Sequence, residues 1–292
     1  MAICNGRTVI ITGAGGGLGR AYALAFAAEG ANVLINDIRG DAAEDVAGEI
    51  RASGGQAIAN SDDITTLATA QRIVDAALAA FGEVHVLVNN AGVLCDRMFI
   101  SLTEDDWDKV MRVHLKGHYC LANILGRRWR DLAKAGTPVD GRIINTSSGA
   151  GLQGSIGQSN YSAAKGGIAA LTLVQAAELA RYSVTANALA PAARTSMTES
   201  AMPDVVKKPE DDSFDAWAPE NVAPLVVWLG SSQSAHVTGQ VIESQGGRLS
   251  LGDGWRTGVT RDKGALWRVD EIGAALDALV AQAPAAQKVW GS

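Results

Sequence analysis

Short, unbroken apolar runs alternate along this chain with longer stretches whose apolar residues recur at helical spacing. The runs TVIIT (8–12), NVLIN (32–36), QAIAN (56–60) and VHVLVNN (84–90) are each followed by such a stretch: LGRAYALAFAAEG, DAAEDVAGEIRASG, LATAQRIVDAALAAFG and WDKVMRVHLKGHYCLANILGRRW. GRIINTSS, NYSAAKGGIAALTLVQAAELARY, SVTANALAP, ENVAPLVVWLGSS and GQVIESQGG carry the alternation to residue 247. Runs of Val, Ile and Leu without polar interruption suit strands covered on both faces, and the helices between them suit right-handed crossovers. The pattern predicts an α/β fold, a doubly wound (Rossmann) parallel sheet of about seven strands, in one domain spanning 1–247.

Two segments break the rhythm. Residues 192–219, AARTSMTESAMPDVVKKPEDDSFDAWAP, are rich in acids and proline and weakly periodic. They follow a strand's carboxyl end, where open α/β sheets bind ligands, so they read as a lid rather than a linker. Residues 248–292 read as a C-terminal extension. In it Ile272, Ala275, Leu276, Leu279 and Val280 keep the 3.6 period of a short amphipathic helix that Pro284 ends. Trp255, Trp267 and Trp290 add large apolar surfaces beside it, to be docked on the domain or on a neighbouring subunit.

With 292 residues, 47% of them hydrophobic and 19% charged, the chain can bury a large core. A net charge of -6 and no basic cluster argue against a nucleic-acid partner. Cys4, Cys95 and Cys120 have no CxxC spacing and fit reduced thiols. No signal-peptide pattern opens the chain, and no run approaches the ~20 apolar residues that span a bilayer. The expectation is a soluble cytoplasmic protein with no membrane partner. Four scattered histidines, His85, His114, His118 and His236, give no metal-ligand spacing, so no metal is expected; His114 and His118 stand at i and i+4 without the glutamate of HExxH.

The candidate chemistry begins at ITGAGGGLGRAYA. Thr12, Gly13, Gly17, Leu18 and Gly19 lie directly between the first strand and the first helix, where glycines let a pyrophosphate approach the backbone at a helix N-terminus. Asp37 ends the second strand, placed for a carboxylate to accept from both ribose hydroxyls of an adenosine and to repel a 2′-phosphate. NAD is therefore expected over NADP: Arg20 and Arg39 could soften that repulsion, yet neither occupies the turn position ahead of Gly17, where Gly16 stands. An S-adenosylmethionine methyltransferase would use the same two features. A second signal is NYSAAKGG, where Tyr161 and Lys165 share a helical face at i and i+4. Taking the proton of a free tyrosine at pH 7 costs roughly 4 kcal/mol. A cation about 5 Å away, at an effective dielectric of about 20, returns roughly 3 kcal/mol. Met alone, the pair would read as a solvated lysine over a packed ring.

With TGAGGGLG, NNAG at 89–92, and Ser148 thirteen residues before Tyr161 in YSAAK, the sequence resembles the short-chain dehydrogenase/reductase family across roughly 6–247. The resemblance implies reversible hydride transfer between a secondary alcohol and NAD. Tyr161 would be the general acid/base, Lys165 would hold the nicotinamide ribose and lower the tyrosine's pKa, and Ser148 would bond the reacting oxygen. Asn89, Asn90, Ala91 and Gly92 would lie on the cofactor side, and Asp63 and Ile64 would meet the adenine. His114 stands where many members have an asparagine that supports a water beside the lysine; an imidazole titrating near neutrality could serve the same relay. The resemblance also implies a homodimer or homotetramer packed through the helices of 105–130 and 159–181.

RVHLKG, GQSNYSAAK, ALAPAARTSMTESAMP and ENVAPLVVWL resemble more narrowly the (3R)-hydroxyacyl-CoA dehydrogenases, the group that includes the dehydrogenase part of peroxisomal multifunctional enzyme type 2. That implies an apolar alcohol or ketone as the partner, a 3-hydroxyacyl-CoA or a hydroxysteroid, and Thr195 near the carboxamide, although Pro191-Ala192 replaces the usual PG. Arg248, Arg256, Arg261, Lys263 and Arg268 could meet a CoA phosphate or be plain surface charge. Two rivals are weaker. SAAK fits the SxxK pattern of penicillin-recognising enzymes, but SDN and KTG are absent. A non-catalytic NAD-binding scaffold has only the asparagine replacement in its favour.

Overall fold

A computed structural model describes residues 2–254, 257–285 and 287–292, so Trp255 and Arg256 lie outside the described residues. The central element is one sheet of eight strands: β1 (Thr8–Thr12), β2 (Asn32–Asn36), β3 (Gln56–Asn60), β4 (Val86–Asn89), β5 (Gly141–Thr146), β6 (Val184–Ala192), β7 (Val241–Gln245) and β8 (Arg248–Leu251). Their order is β3-β2-β1-β4-β5-β6-β7-β8. The first seven are parallel and β8 turns back antiparallel on β7, pairing Gln245 with Arg248 and Ile242 with Leu251. That last strand begins the segment expected as extension. Its apolar positions Leu249 and Leu251 are exposed, so the buried-strand pattern that betrayed the others is missing.

Helices cover both faces. α1 (Gly17–Ala28), α2 (Gly40–Ala52) and α9 (Ala223–Gly230) lie on one; α3 (Leu67–Phe81), α5 (Gly117–Lys134) and α7 (Ser159–Leu179) lie on the other. The strand residues divide between the two layers by the period-2 rule. Val9, Ile11, Val33, Ile35, Val86 and Val88 join the first core, and Ile10, Leu34, Leu87 and Ile143 the second. The helices follow the 3.6 period: Ala70, Ile73, Val74 and Ala77 are the buried face of α3, which Thr66 caps by accepting from the Thr69 N–H at 3.2 Å. In α7 the buried face is Asn160, Ala164, Lys165, Ile168, Thr172 and Ala176, a cation set among small, apolar and uncharged polar side chains.

One long helix is expected over 107–129, and the chain departs from it. α4 (Glu104–Met111) gives way to a single wide π turn, Arg112–Lys116, before α5 begins. The extra residue in that turn carries His114 inward, buried at 1% exposure. Periodicity cannot register a one-residue insertion of this kind. Short helices α6 (Gly149–Gln153) and α8 (Ser196–Ala201) follow β5 and β6, and α10 (Val269–Gln282) is the expected amphipathic helix. Only Ala275 of α10 is buried; Ile272, Leu276 and Val280 remain exposed. No helix among the described residues is long and apolar enough to cross a membrane.

Candidate active site

The sheet order reverses between β1 and β4, and a cleft of about 1150 Å³ opens there past the strands' carboxyl ends. Its floor at one end is the turn after β1. Thr12 Oγ1 accepts from the backbone N–H groups of Asn90 at 3.0 Å and Ala91 at 3.1 Å, while Asn90 Nδ2 donates to the carbonyls of Thr12 and Gly13. Gly13 has φ +61°, and a Cβ on it would fall 2.8 Å from Ala91 Cα, so this turn and the 89–92 segment fit together only with glycine there. The N-cap of α1 is Gly16, without a side-chain cap and with no acid in the first turn. The orphan N–H groups of that helix end are left for the cleft, which Gly13 and Gly15 to Leu18 line, and they suit an anion.

Asp37 lines the cleft beside this turn, 7% exposed. Its carboxylate accepts from the Gly15 N–H and from the Arg39 N–H, each at 3.0 Å, with the Arg39 side chain at 3.4 Å. Asp63, Ile64, Asn90, Ala91, Gly92 and Thr195 also line the cleft. Thr195 caps α8 and turns its methyl group toward Gly17. Two expected residues stand elsewhere. Gly19 is buried in α1 behind the turn. Asn89, rather than facing the cleft, donates from Nδ2 to Asn145 Oδ1 at 3.0 Å inside the sheet, because alternation along β4 sends it to the opposite face from Asn90.

The four residues expected to carry chemistry converge on the other end: His114, Ser148, Tyr161 and Lys165 all line the cleft. Ser148 is the N-cap of α6, and its Oγ accepts from the Ala150 N–H at 3.2 Å, which leaves the hydroxyl proton to be donated. Tyr161 and Lys165 share the inner face of α7, with Nζ 5.5 Å from the centre of the phenol ring. Lys165 Nζ donates to the Thr146 carbonyl at 2.6 Å, and Ser147 Oγ donates to the Lys165 carbonyl at 2.8 Å. The His114 ring stands edge-on to Tyr161, centroids 5.2 Å apart, with Nε2 2.8 Å from the Val93 carbonyl oxygen. The Val93 N–H also donates to Nε2, at 3.0 Å, so this nitrogen is shared by the donor and the acceptor of one residue, while Nδ1 has no partner among the described residues.

Burial governs the protonation of this group. It raises the Tyr161 phenol above its ordinary 10.0, and the opposing pull comes from a hydrogen bond with Ser148. The expected acidification of the phenol by Lys165 is therefore corrected. The lysine is itself so deeply buried that its pKa falls from 10.5 to about 7, and its charge is the one at risk. His114 is corrected too: burial first, then the Lys165 charge, lower it to about 3, so it stays neutral through the physiological range. His118, one turn on, is fully buried, accepts from the Thr146 N–H at 3.3 Å and does not line the cleft.

The remaining wall was only partly foreseen. Met197, Met202 and Trp217 come from the 192–219 segment, whose base is fixed by the Arg194–Asp215 ion pair and the fully buried Val206. Ser155, Ile156, Trp290 and Gly291 complete it. Thr146 and Ser147, which hold Lys165 in place, were missed although they immediately precede Ser148. The arrangement joins an uncapped helix end and a buried carboxylate to a hydroxyl, a phenol and a lysine amine, groups able to exchange a proton with an oxygen placed among them. Among the described residues no three His, Cys, Asp or Glu side chains gather to hold a metal ion.

Comparison with known proteins agrees with this geometry. Residues 7–205 match the family model described as short chain dehydrogenase. The chain is 44% identical over 257 residues to hydroxyacyl-CoA dehydrogenase ChsB1 of Mycobacterium tuberculosis, covering 85% of this chain and 80% of that protein. It is 42% identical over 260 residues to peroxisomal multifunctional enzyme type 2 of Mus musculus, covering 86% of this chain but 32% of that longer protein. A crystal structure of a short chain dehydrogenase from Mycobacterium avium superimposes with a TM-score of 0.91 at 50% identity, covering 99% of this chain and 100% of that one.

Proposed function

The chain belongs to the short-chain dehydrogenase/reductase family, an oxidoreductase family that uses a nicotinamide cofactor, and from that premise we propose that it interconverts a 3-hydroxyacyl-CoA and the 3-ketone with NAD. The observation that carries the reading is the convergence of Ser148, Tyr161 and Lys165 on the same cleft as the glycine turn and Asp37. The choice of an acyl-CoA over another apolar alcohol is supported by the names of the two relatives. NAD is favoured over NADP because the buried Asp37 carboxylate would oppose a 2′-phosphate at close range.

The cleft fits a dinucleotide: an uncapped helix end for the pyrophosphate, Asp37 for the adenosine ribose, and Asp63 and Ile64 beside the adenine position. The nicotinamide supplies the hydride acceptor or donor. Every other task falls to side chains of the chain. Tyr161 takes the hydroxyl proton during oxidation and returns it during reduction. Ser148, its oxygen held by the Ala150 N–H, has one proton to donate: to the Tyr161 oxygen before substrate binds and to the reacting oxygen once substrate is bound. Lys165, fixed by the Thr146 carbonyl, is placed to hold the nicotinamide ribose. His114 acts as a neutral prop against the Tyr161 ring, its unpartnered Nδ1 available to a water. The 192–219 segment serves as the lid.

We assign the protein to the cytoplasm and to a homodimer or homotetramer. The exposed Tyr119 of α5 and Leu173 and Val174 of α7 support association through those helices. The test of the function is a set of paired initial rates with a (3R)-3-hydroxyacyl-CoA and a hydroxysteroid, each with NAD and with NADP. The fastest pair is expected to be hydroxyacyl-CoA with NAD. A faster hydroxysteroid overturns the substrate, and a faster NADP reaction overturns the reading of Asp37.

A further inference from the structure

The last residues of the chain return to the cleft. The loop between α6 and α7, which separates Ser148 from Tyr161, makes an isolated parallel bridge to Trp290 through Ser155. The Ile156 N–H donates to the Trp290 carbonyl at 2.9 Å and the Trp290 N–H donates to the Gly154 carbonyl at 3.2 Å. The indole lies on Gly149, immediately after Ser148; a Cβ there would come within 2.6 Å of Cη2, so only glycine admits the ring at this depth. Val289 packs on Gly154 and Gly291 on Ile156. Trp290 nevertheless keeps 46% of its surface exposed while lining the cleft.

A large aromatic side chain held by two backbone hydrogen bonds, with one face on the catalytic loop and the other open to the cleft, presents apolar surface to whatever lies beyond the reacting carbon. Ile156, 49% exposed, continues that surface, and Met197 and Met202 line the same cleft. We propose that Trp290 is a specificity-determining residue, the wall against which the apolar chain of the substrate packs, so that the C-terminal strap sets the preference for long over short acyl groups. The proposal deepens the acyl-CoA reading and rests on it for the identity of the head group. It does not involve the proton-transfer residues or any residue of the glycine turn.

The test uses the full chain with Trp290→Ala and Trp290→Phe, measuring Kd for decanoyl-CoA and acetyl-CoA by titration calorimetry, and kcat/KM for the matching 3-hydroxyacyl-CoA pair. Expected is a roughly tenfold loss of decanoyl-CoA affinity in Trp290→Ala, acetyl-CoA affinity within about twofold, and most of the loss restored by Trp290→Phe, an apolar contact of ordinary size. Equal losses for both ligands, or none for either, overturn the proposal, as does a wild-type protein that binds no decanoyl-CoA. A wild type that binds decanoyl-CoA with this dependence on Trp290 yet oxidises no 3-hydroxyacyl-CoA overturns the function and leaves the wall. Turnover with unchanged chain-length preference in Trp290→Ala overturns the wall alone.

Discussion

At the glycine-turn end of the cleft, the contacts that set its shape run through backbone: Gly15 N–H to Asp37, Asn90 and Ala91 N–H to Thr12, Asn90 Nδ2 to two carbonyls. At the other end the walls are side chains drawn from 148–161, 192–219 and Trp290, and a phenol, an imidazole and an ammonium stand within one cluster. The first end is specified by conformation, which a few glycines, one carboxylate and the fit of residues 12–13 against 90–91 determine. The second is specified by burial, which depends on segments far apart in sequence. Binding and chemistry should accordingly fail separately when each end is altered.

The sharpest break between them is Tyr161→Phe. Turnover is expected to fall by about 10³-fold or more, the scale of a lost general acid/base, while NADH affinity measured by fluorescence stays within about twofold. A comparable loss of affinity would show that the two ends are not separable. Asp37→Ala should do the reverse. Losing charge-assisted bonds of about 1.5–3 kcal/mol predicts an NAD KM raised roughly 10- to 100-fold, with kcat little changed and NADP gaining relative to NAD. Steady-state kinetics with both cofactors checks it.

The smallest effect is on stability and belongs to Lys165. Its folded pKa of about 7 lies below the ordinary 10.5, so the unfolded chain binds the proton more tightly between those values. Stability therefore rises with pH across that window, and the penalty of burying the cation is fully present below about pH 7. Lys165→Met, which keeps the stem and removes the charge, is expected to gain about 1–3 kcal/mol at pH 6 after the orphaned Thr146 carbonyl is counted, and to lose that advantage toward pH 10. Denaturant melts at the two pH values measure it. A variant destabilised at pH 6 would mean that the lysine's hydrogen bond outweighs its desolvation.

What could be read from the sequence follows the same division. The inner strands of the parallel sheet were legible because burial on both faces writes runs of Val, Ile and Leu, the edge strand β3 by its place in the alternation, and the glycine turn because its residues are adjacent. Ser148, Tyr161 and Lys165 were recognised by spacing, since β5, α6 and α7 follow one another in the chain. β8 escaped because its side chains are exposed. The π turn escaped because one added residue alters a helix without altering its composition. Trp290 could be counted as apolar surface but not placed, for nothing in local sequence indicates that the chain's end pairs with residues 154–156. The protonation states were misjudged for a related reason: charge proximity is visible in YSAAK, while the desolvation that outweighs it is a property of the assembled core.

Central to the account is a phenol that burial makes less acidic, an effect that Ser148 opposes in part. The pH dependence of kcat for alcohol oxidation in the wild type and in Ser148→Ala examines this directly. Removing a group that lowers the Tyr161 pKa raises it, so the rising limb assigned to Tyr161 is predicted to move to higher pH in the variant, with a lower rate at every pH below the new limb. A limb that keeps its wild-type position while only the plateau drops would contradict the account.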